Sequence, residues 1–198
     1  MHTGDLDAAD AWYREKAPRE LTHLNVMRRY QYLTQAMVEL EDGRPDTVQL
    51  TLAPLEPYVQ NCARIIDGIH LNVLTAIALY RKKDERWRER LTAALDAAAE
   101  YRFIRTVSVY GTAVLPLLEA LDWDGDKAWR KRLMAAVRTQ AAFYTHFLEP
   151  SLAPGEELTP TELQILHLLC ADKSNAEIAQ IMDCLLYTSD AADDRISV

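Results

Sequence analysis

His167 and Cys170 are metal-ligating types three residues apart, one helical turn, and in principle both could hold a transition metal. A site needs further ligands at comparable spacing and none accompany them, so they read as core or boundary residues. Asp122-Trp-Asp-Gly-Asp126 has the oxygen density of a calcium loop. An EF-hand needs Gly at its sixth position and a bidentate Glu at its twelfth. Here Gly125 is fourth, and those positions hold Lys127 and Leu133. The run is expected to cap a helix. His23, His70 and His146 lack the Ser, Cys or carboxylate neighbours that mark a triad in sequence. The chemistry-bearing residues therefore predict no enzyme and no metal. Arg81, Lys82, Lys83, Arg86, Arg88 and Arg90 form the densest basic run, but Asp84, Glu85 and Glu89 interleave with them, as on a solvated face. Trp12, Trp87, Trp123 and Trp129 stand at or near expected helix starts and read as packing anchors.

A more specific pattern lies in 158–182, LTPTELQILHLLCADKSNAEIAQIM. Thr159 and Glu162 form a capping box: the hydroxyl accepts from the N3 amide and the carboxylate returns to the cap amide. Pro160 suits the first helical position. Leu163, Leu166 and Leu169, with Ile165 and Cys170 beside them, make an apolar stripe. Ser174 and Glu177 repeat the box and open a second helix with Ile178, Ile181 and Met182 on one face. Two short boxed helices joined at Asp172-Lys173 form a tight corner. That spacing suits a DNA-binding helix-turn-helix and a plain helix hairpin alike.

The residue pattern resembles the start of the LuxR-type helix-turn-helix: Leu-Thr-Pro-x-Glu, an apolar helix, then Ser-Asn-x-Glu-Ile-Ala. Leu158, Thr159, Pro160, Glu162, Leu166, Leu169, Ser174, Asn175, Glu177, Ile178 and Ala179 carry the match. The helices upstream resemble the sensor region of the large MalT-like regulators, on weaker supports: Tyr101–Arg105 (YRFIR), Tyr110-Gly111 and Leu117-Leu118. The resemblance implies a DNA partner, a small-molecule effector and possible self-association. It places Lys173, Ser174 and Asn175 near phosphate, and an effector site at Tyr101, Arg102, Arg105 and Tyr110. Such regulators also carry a nucleotide-binding domain; no GxxxxGK[ST] run occurs here, so ATP would belong to sequence outside this chain, which itself implies no cofactor. Two departures stand out. Asp172 and Lys173 occupy a turn where the family often has Gly. After Asp183 the family continues with Thr-Val-Lys and a basic recognition helix, whereas this chain reads CLLYTSDAADDRISV. Residues 184–198 are read as a non-native tail, and the chain as a fragment without its recognition helix.

The elements that must position this corner are helical. Helical periodicity runs through Asp7–Glu15, Glu20–Leu40, Asp46–Cys62, Ile65–Lys82, Glu85–Tyr101, Val107–Leu121 and Lys127–Leu148. Pro54 and Pro57 predict a break in the third segment, and Pro116 a split or a new start in the sixth. Leu33-Thr34, Leu50-Thr51 and Ala53 recur 41 residues on as Leu74-Thr75, Leu91-Thr92 and Ala94, suggesting stacked helix pairs. The expected fold is all-α: a TPR-like helical repeat (α-solenoid) over 1–148, a linker over 149–157 (EPSLAPGEE), and an incomplete helix-turn-helix over 158–183.

Composition agrees. Of 198 residues 49% are apolar and 26% charged, as in a globular domain. A net charge of −8 excludes a protein that coats nucleic acid non-specifically. Three scattered cysteines give no disulfide framework. The acidic N-terminus has no signal-peptide core, and the best apolar stretch, Leu71 to Tyr80, is about half a membrane span. The expected location is cytoplasmic. The expected function is a ligand-responsive DNA-binding transcription regulator. The alternative is a helical-repeat scaffold that binds proteins through its concave face.

Overall fold

Helical periodicity becomes helix in the computed structural model, which describes residues 6–148 and, beyond them, Ile165, Leu168, Lys173, Ser174, Glu177 and Ile178; no strand occurs among these residues. The chain divides into two compact units, Met1–Ser151 and Leu152–Val198. In the first unit the helices are α1 (Leu6–Lys16), α2 (Arg29–Glu41), α3 (Pro45–Leu52), α4 (Leu55–Asn61), α5 (Ile65–Arg81), α6 (Trp87–Glu100), α7 (Arg105–Ser108), α8 (Gly111–Ala120) and α9 (Lys127–Phe143). The expected linker, 149–157, lies outside the described residues.

Three boundaries differ from expectation, each for a local reason. Residues 20–25 are not helical. Glu20 accepts from the Thr22 amide at 2.8 Å, and Asn25 caps a short 3-10 turn, Val26–Arg28, by accepting from Met27 N at 3.1 Å. Such side-chain-to-backbone bonds compete with helix. The sixth segment breaks at Val109–Tyr110 and not at Pro116, which sits inside α8. The break falls at Gly111, whose φ is +35°; a Cβ there would stand 3.2 Å from the Ala141 amide of α9. Close approach of α8 to α9 sets the turn, and Pro116 costs α8 one internal hydrogen bond. The last helix ends at Phe143, and residues 145–148 form turns. The third segment breaks as expected: α4 starts just after Pro54, and Pro57 falls in its first turn, where no amide donor is needed.

Four helices, α2, α4, α5 and α6, end at Glu41, Asn61, Arg81 and Glu100, spacings of 20, 20 and 19 residues. Two residues beyond each end stands a left-handed residue: Gly43, Ala63, Lys83 and Arg102. The next amide closes a six-to-one bond to the helix: Arg44 to Glu39 O at 2.8 Å, Arg64 to Val59 O at 3.1 Å, Asp84 to Leu79 O at 3.0 Å and Phe103 to Ala98 O at 2.8 Å. These are Schellman ends, three of them built without glycine. The 41-residue sequence offset transfers burial only in part. Leu33 and Leu74 are both buried, but Leu50 is 66% exposed where Leu91 is buried, and Ala53 is exposed where Ala94 is buried. The structural period resides in the helix ends.

Helix α5 is mostly apolar and is buried at Ile69, Leu71 and 73–79, with His70 and Asn72 half-buried between them. It packs against α2, α3, α4, α6, α7 and α8. Helix α9 buries Trp129, Leu133 and Val137 on one stripe and packs mainly against α8. The 122–126 loop does cap α9: Asp126 accepts from the Trp129 amide at 2.9 Å. Trp123 packs edge-on against Trp129 at 5.6 Å and donates to Asp96 at 2.8 Å. Trp87 is buried as well, and Trp12 half-buried. The basic run is largely paired and exposed, Arg86 with Asp84, Arg88 with Glu85 and Arg90 with Glu56. Arg81 instead turns inward to donate to Leu40 O at 2.6 Å. Among the described residues no helix is long and apolar enough to cross a membrane.

One buried carboxylate ties α2 to α3. Glu39 accepts from Thr51 Oγ1 at 2.8 Å, Gln35 Nε2 at 3.1 Å and the Tyr13 hydroxyl at 3.2 Å. Removing one donor leaves part of a buried charge unsatisfied. Thr51→Val should therefore lower unfolding stability by about 1–3 kcal/mol in urea titration. An unchanged midpoint would contradict this role for the network.

Candidate functional site

The second unit is described at six positions, and they define the second capping box. Ser174 donates its amide and its hydroxyl to Glu177 Oε2, both at 2.9 Å, and Ser174 Oγ accepts from the Glu177 amide at 3.4 Å. The Ile178 amide donates to Ser174 O at 2.9 Å, the first bond of the helix, which makes Ser174 its N-cap. Just before it, the Lys173 amide donates to Leu168 O at 3.1 Å. Leu168 is helical, and Lys173 and Ser174 lie outside a helix. Ile178 is buried, while Lys173, Ser174 and Glu177 are exposed. Lys173 Nζ lies 3.4 Å from Glu177 Oε1. The Ser174 amide and hydroxyl, then the Lys173 charge, hold the Glu177 carboxyl below its ordinary range. Backbone amides at such a helix start attract anions, and here the Glu177 carboxylate, beside Lys173, takes that place. Thr159, Glu162, Asn175, His167 and Cys170 lie outside the described residues.

The four positions expected for an effector are distributed in the first unit. Tyr101 is 48% exposed at the end of α6 and stacks on Phe103 at 5.8 Å. Arg102 pairs with Asp126 at 2.5 Å, and Arg105 starts α7 on the surface. Tyr110 is buried, and its hydroxyl lies 2.9 Å from His70 Nδ1. Burial pushes the Tyr110 phenol well up and His70 down, so the pair is neutral. The two residues line a cavity of about 200 Å³ together with Tyr30, Leu33, Thr34 and Met37 of α2 and with Val109. Tyr101, Arg102 and Arg105 do not line it. His70 has no local sequence signal for this partnership. It stands 40 residues before Tyr110, one helix-pair period, and only folding brings the two together. Among the described residues no group of three or more His, Cys, Asp or Glu side chains could hold a metal.

The class of the second unit is given by comparison. Residues 156–188, 33 of the 198, match the family model described as "Bacterial regulatory proteins, luxR family". The match spans the Ser174 box and reaches five residues beyond Asp183. This segment is thus similar to the helix-turn-helix of LuxR-type transcription regulators, a DNA-binding class. Comparison with curated proteins and with solved structures gave no match.

Two outcomes follow. Ser174→Ala should cost the second helix about 1 kcal/mol and reduce its helical NMR shifts near Ile178; retention of those shifts would remove the cap from the account. His70 gives a pH signature. Its folded pKa lies below the unfolded value of about 6.5, so the unfolded chain binds more protons and stability declines as pH falls below that value. The loss of melting temperature between pH 7.5 and 5.5 should be smaller in His70→Gln than in the parent. Equal losses would contradict a buried neutral His70.

Proposed function

We propose that this chain serves in a DNA-binding transcription regulator of the LuxR type, its second unit bracing and anchoring the DNA contact. The observation that carries this is the luxR-family match over a corner in which Ser174 and Glu177 form the expected capping box. In a helix-turn-helix, phosphate contacts fix the register and base contacts from the groove-entering helix supply specificity. Lys173, Ser174 and Asn175 take the phosphate-facing role at the second helix's start. The first unit is read as the sensor, a MalT-like, TPR-like helical array, supported by helix ends recurring about every 20 residues. On this reading a small-molecule effector acts on the first unit, self-association presents two DNA-binding corners, and the protein works in the cytoplasm without catalysis of its own. ATP would enter through a nucleotide-binding domain beyond these residues.

Charge makes the reading testable. Residues 158–183 carry Lys173 against Glu162, Asp172, Glu177 and Asp183, a net −3, and 184–198 add Arg195 against three Asp, a further −2. A duplex presents one negative charge per ~1.7 Å, and a good bidentate base contact supplies only about 1–3 kcal/mol of discrimination. Selection from random duplex DNA should therefore enrich no motif with the 198-residue chain. A chimera carrying a basic third helix of a LuxR-type protein after Asp183 should enrich one, with affinity falling as salt rises. Failure of the folded chimera to enrich any motif would overturn the regulator reading in favour of the protein-binding scaffold.

A further inference from the structure

The cavity beside His70 and Tyr110 has the size and polarity of a specific small-molecule site. The cavity is open to solvent on the side of Tyr30 and Thr34, and its 200 Å³ has room for a single ring with a small substituent. Its apolar wall includes the Met37 thioether, which favours aromatic contact. Tyr110 O–H is fully buried, and its oxygen lies 2.9 Å from His70 Nδ1. If the phenol donates there, Nδ1 accepts and the imidazole proton sits on Nε2. His70 lines the cavity, and among the described residues its Nε2 has no hydrogen-bond partner, which leaves a neutral N–H for an occupant. No charged side chain lines the cavity. Asp67, one turn before His70, is held by Arg64 at 3.1 Å and Arg29 at 3.5 Å. An anion finds no cation there, and an ammonium no carboxylate. A phenylalanine at position 110 would fill the same core without desolvating a hydroxyl, whereas the polar pair gives the cavity chemical selectivity.

We propose that this cavity, between α2, α5 and the α7–α8 turn, binds a neutral molecule of single-ring size that bears one hydrogen-bond acceptor, received by His70 Nε2–H. That this molecule is the effector rests on the regulator reading; the binding itself does not.

The test titrates the full chain, with ¹⁵N-labelled histidine, against acetophenone, ethylbenzene and benzoate. Acetophenone has the ring and the acceptor, ethylbenzene lacks the acceptor, and benzoate adds a charge. Acetophenone should shift the His70 Nε2 resonance saturably, ethylbenzene should bind about three- to tenfold more weakly, and benzoate weaker still. Thr34→Phe, which fills the cavity from its half-buried edge, should abolish the acetophenone shift while the protein stays folded. Val109→Phe on the other wall makes the same comparison if Thr34→Phe does not fold. No saturable shift, equal affinity for ethylbenzene, or unchanged binding in a folded filled variant would each overturn the site. The titration contains no DNA, so its failure leaves the regulator reading intact. Failure of the chimera to select DNA likewise leaves the cavity result intact.

Discussion

A helix whose apolar side chains run around most of its circumference must be covered on most sides, and α5 imposes that demand on the first unit. Ile69, Leu71, Val73, Leu74, Ile77 and Leu79 point around most of it, and all are buried. Removing each such side chain from water contributes about 1.5–3 kcal/mol, far more than any single surface pair in the unit. The neighbouring helices are therefore held by what they cover. Their exits are held by geometry: each Schellman end turns the chain sharply, at about 20-residue intervals. The cavity at His70 lies where this coverage is shared by α2, α5 and the α7–α8 turn.

Much of this was legible in the residues. Period-3.6 patterning located the helices because the apolar stripe of α9, Trp129, Leu133 and Val137, is written at i, i+4 and i+8. Asp126 was readable as a cap because its partner is only three residues away. The Ser174 box was readable for the same reason. Local chemistry leaves a local trace.

What was not legible depends on contacts between distant segments. Pro116 looked like a helix break, yet the break is set by how closely Gly111 approaches Ala141. Residues 20–25 carry helical periodicity, but Glu20 and Asn25 spend their side chains on nearby backbone, and Tyr32 ties the segment down by donating to Glu20 O at 3.0 Å. His70 gave no sign of its partner because Tyr110 is 40 residues away. The 41-residue offset suggested stacked helix pairs, but Leu50 and Leu91, which it equates, have opposite burial. The family pattern, by contrast, was legible as residue types, since capping boxes and their spacing are what that pattern encodes.

The functional account depends on 158–183 forming a corner rather than one helix or a coil. Backbone NMR of the uniformly labelled chain measures this directly through its secondary shifts. The account predicts two helical stretches interrupted at Asp172–Lys173, with Ser174 in extended cap geometry and its amide protected from exchange. Continuous helical shifts through 172–174, or coil shifts across the whole segment, would contradict it.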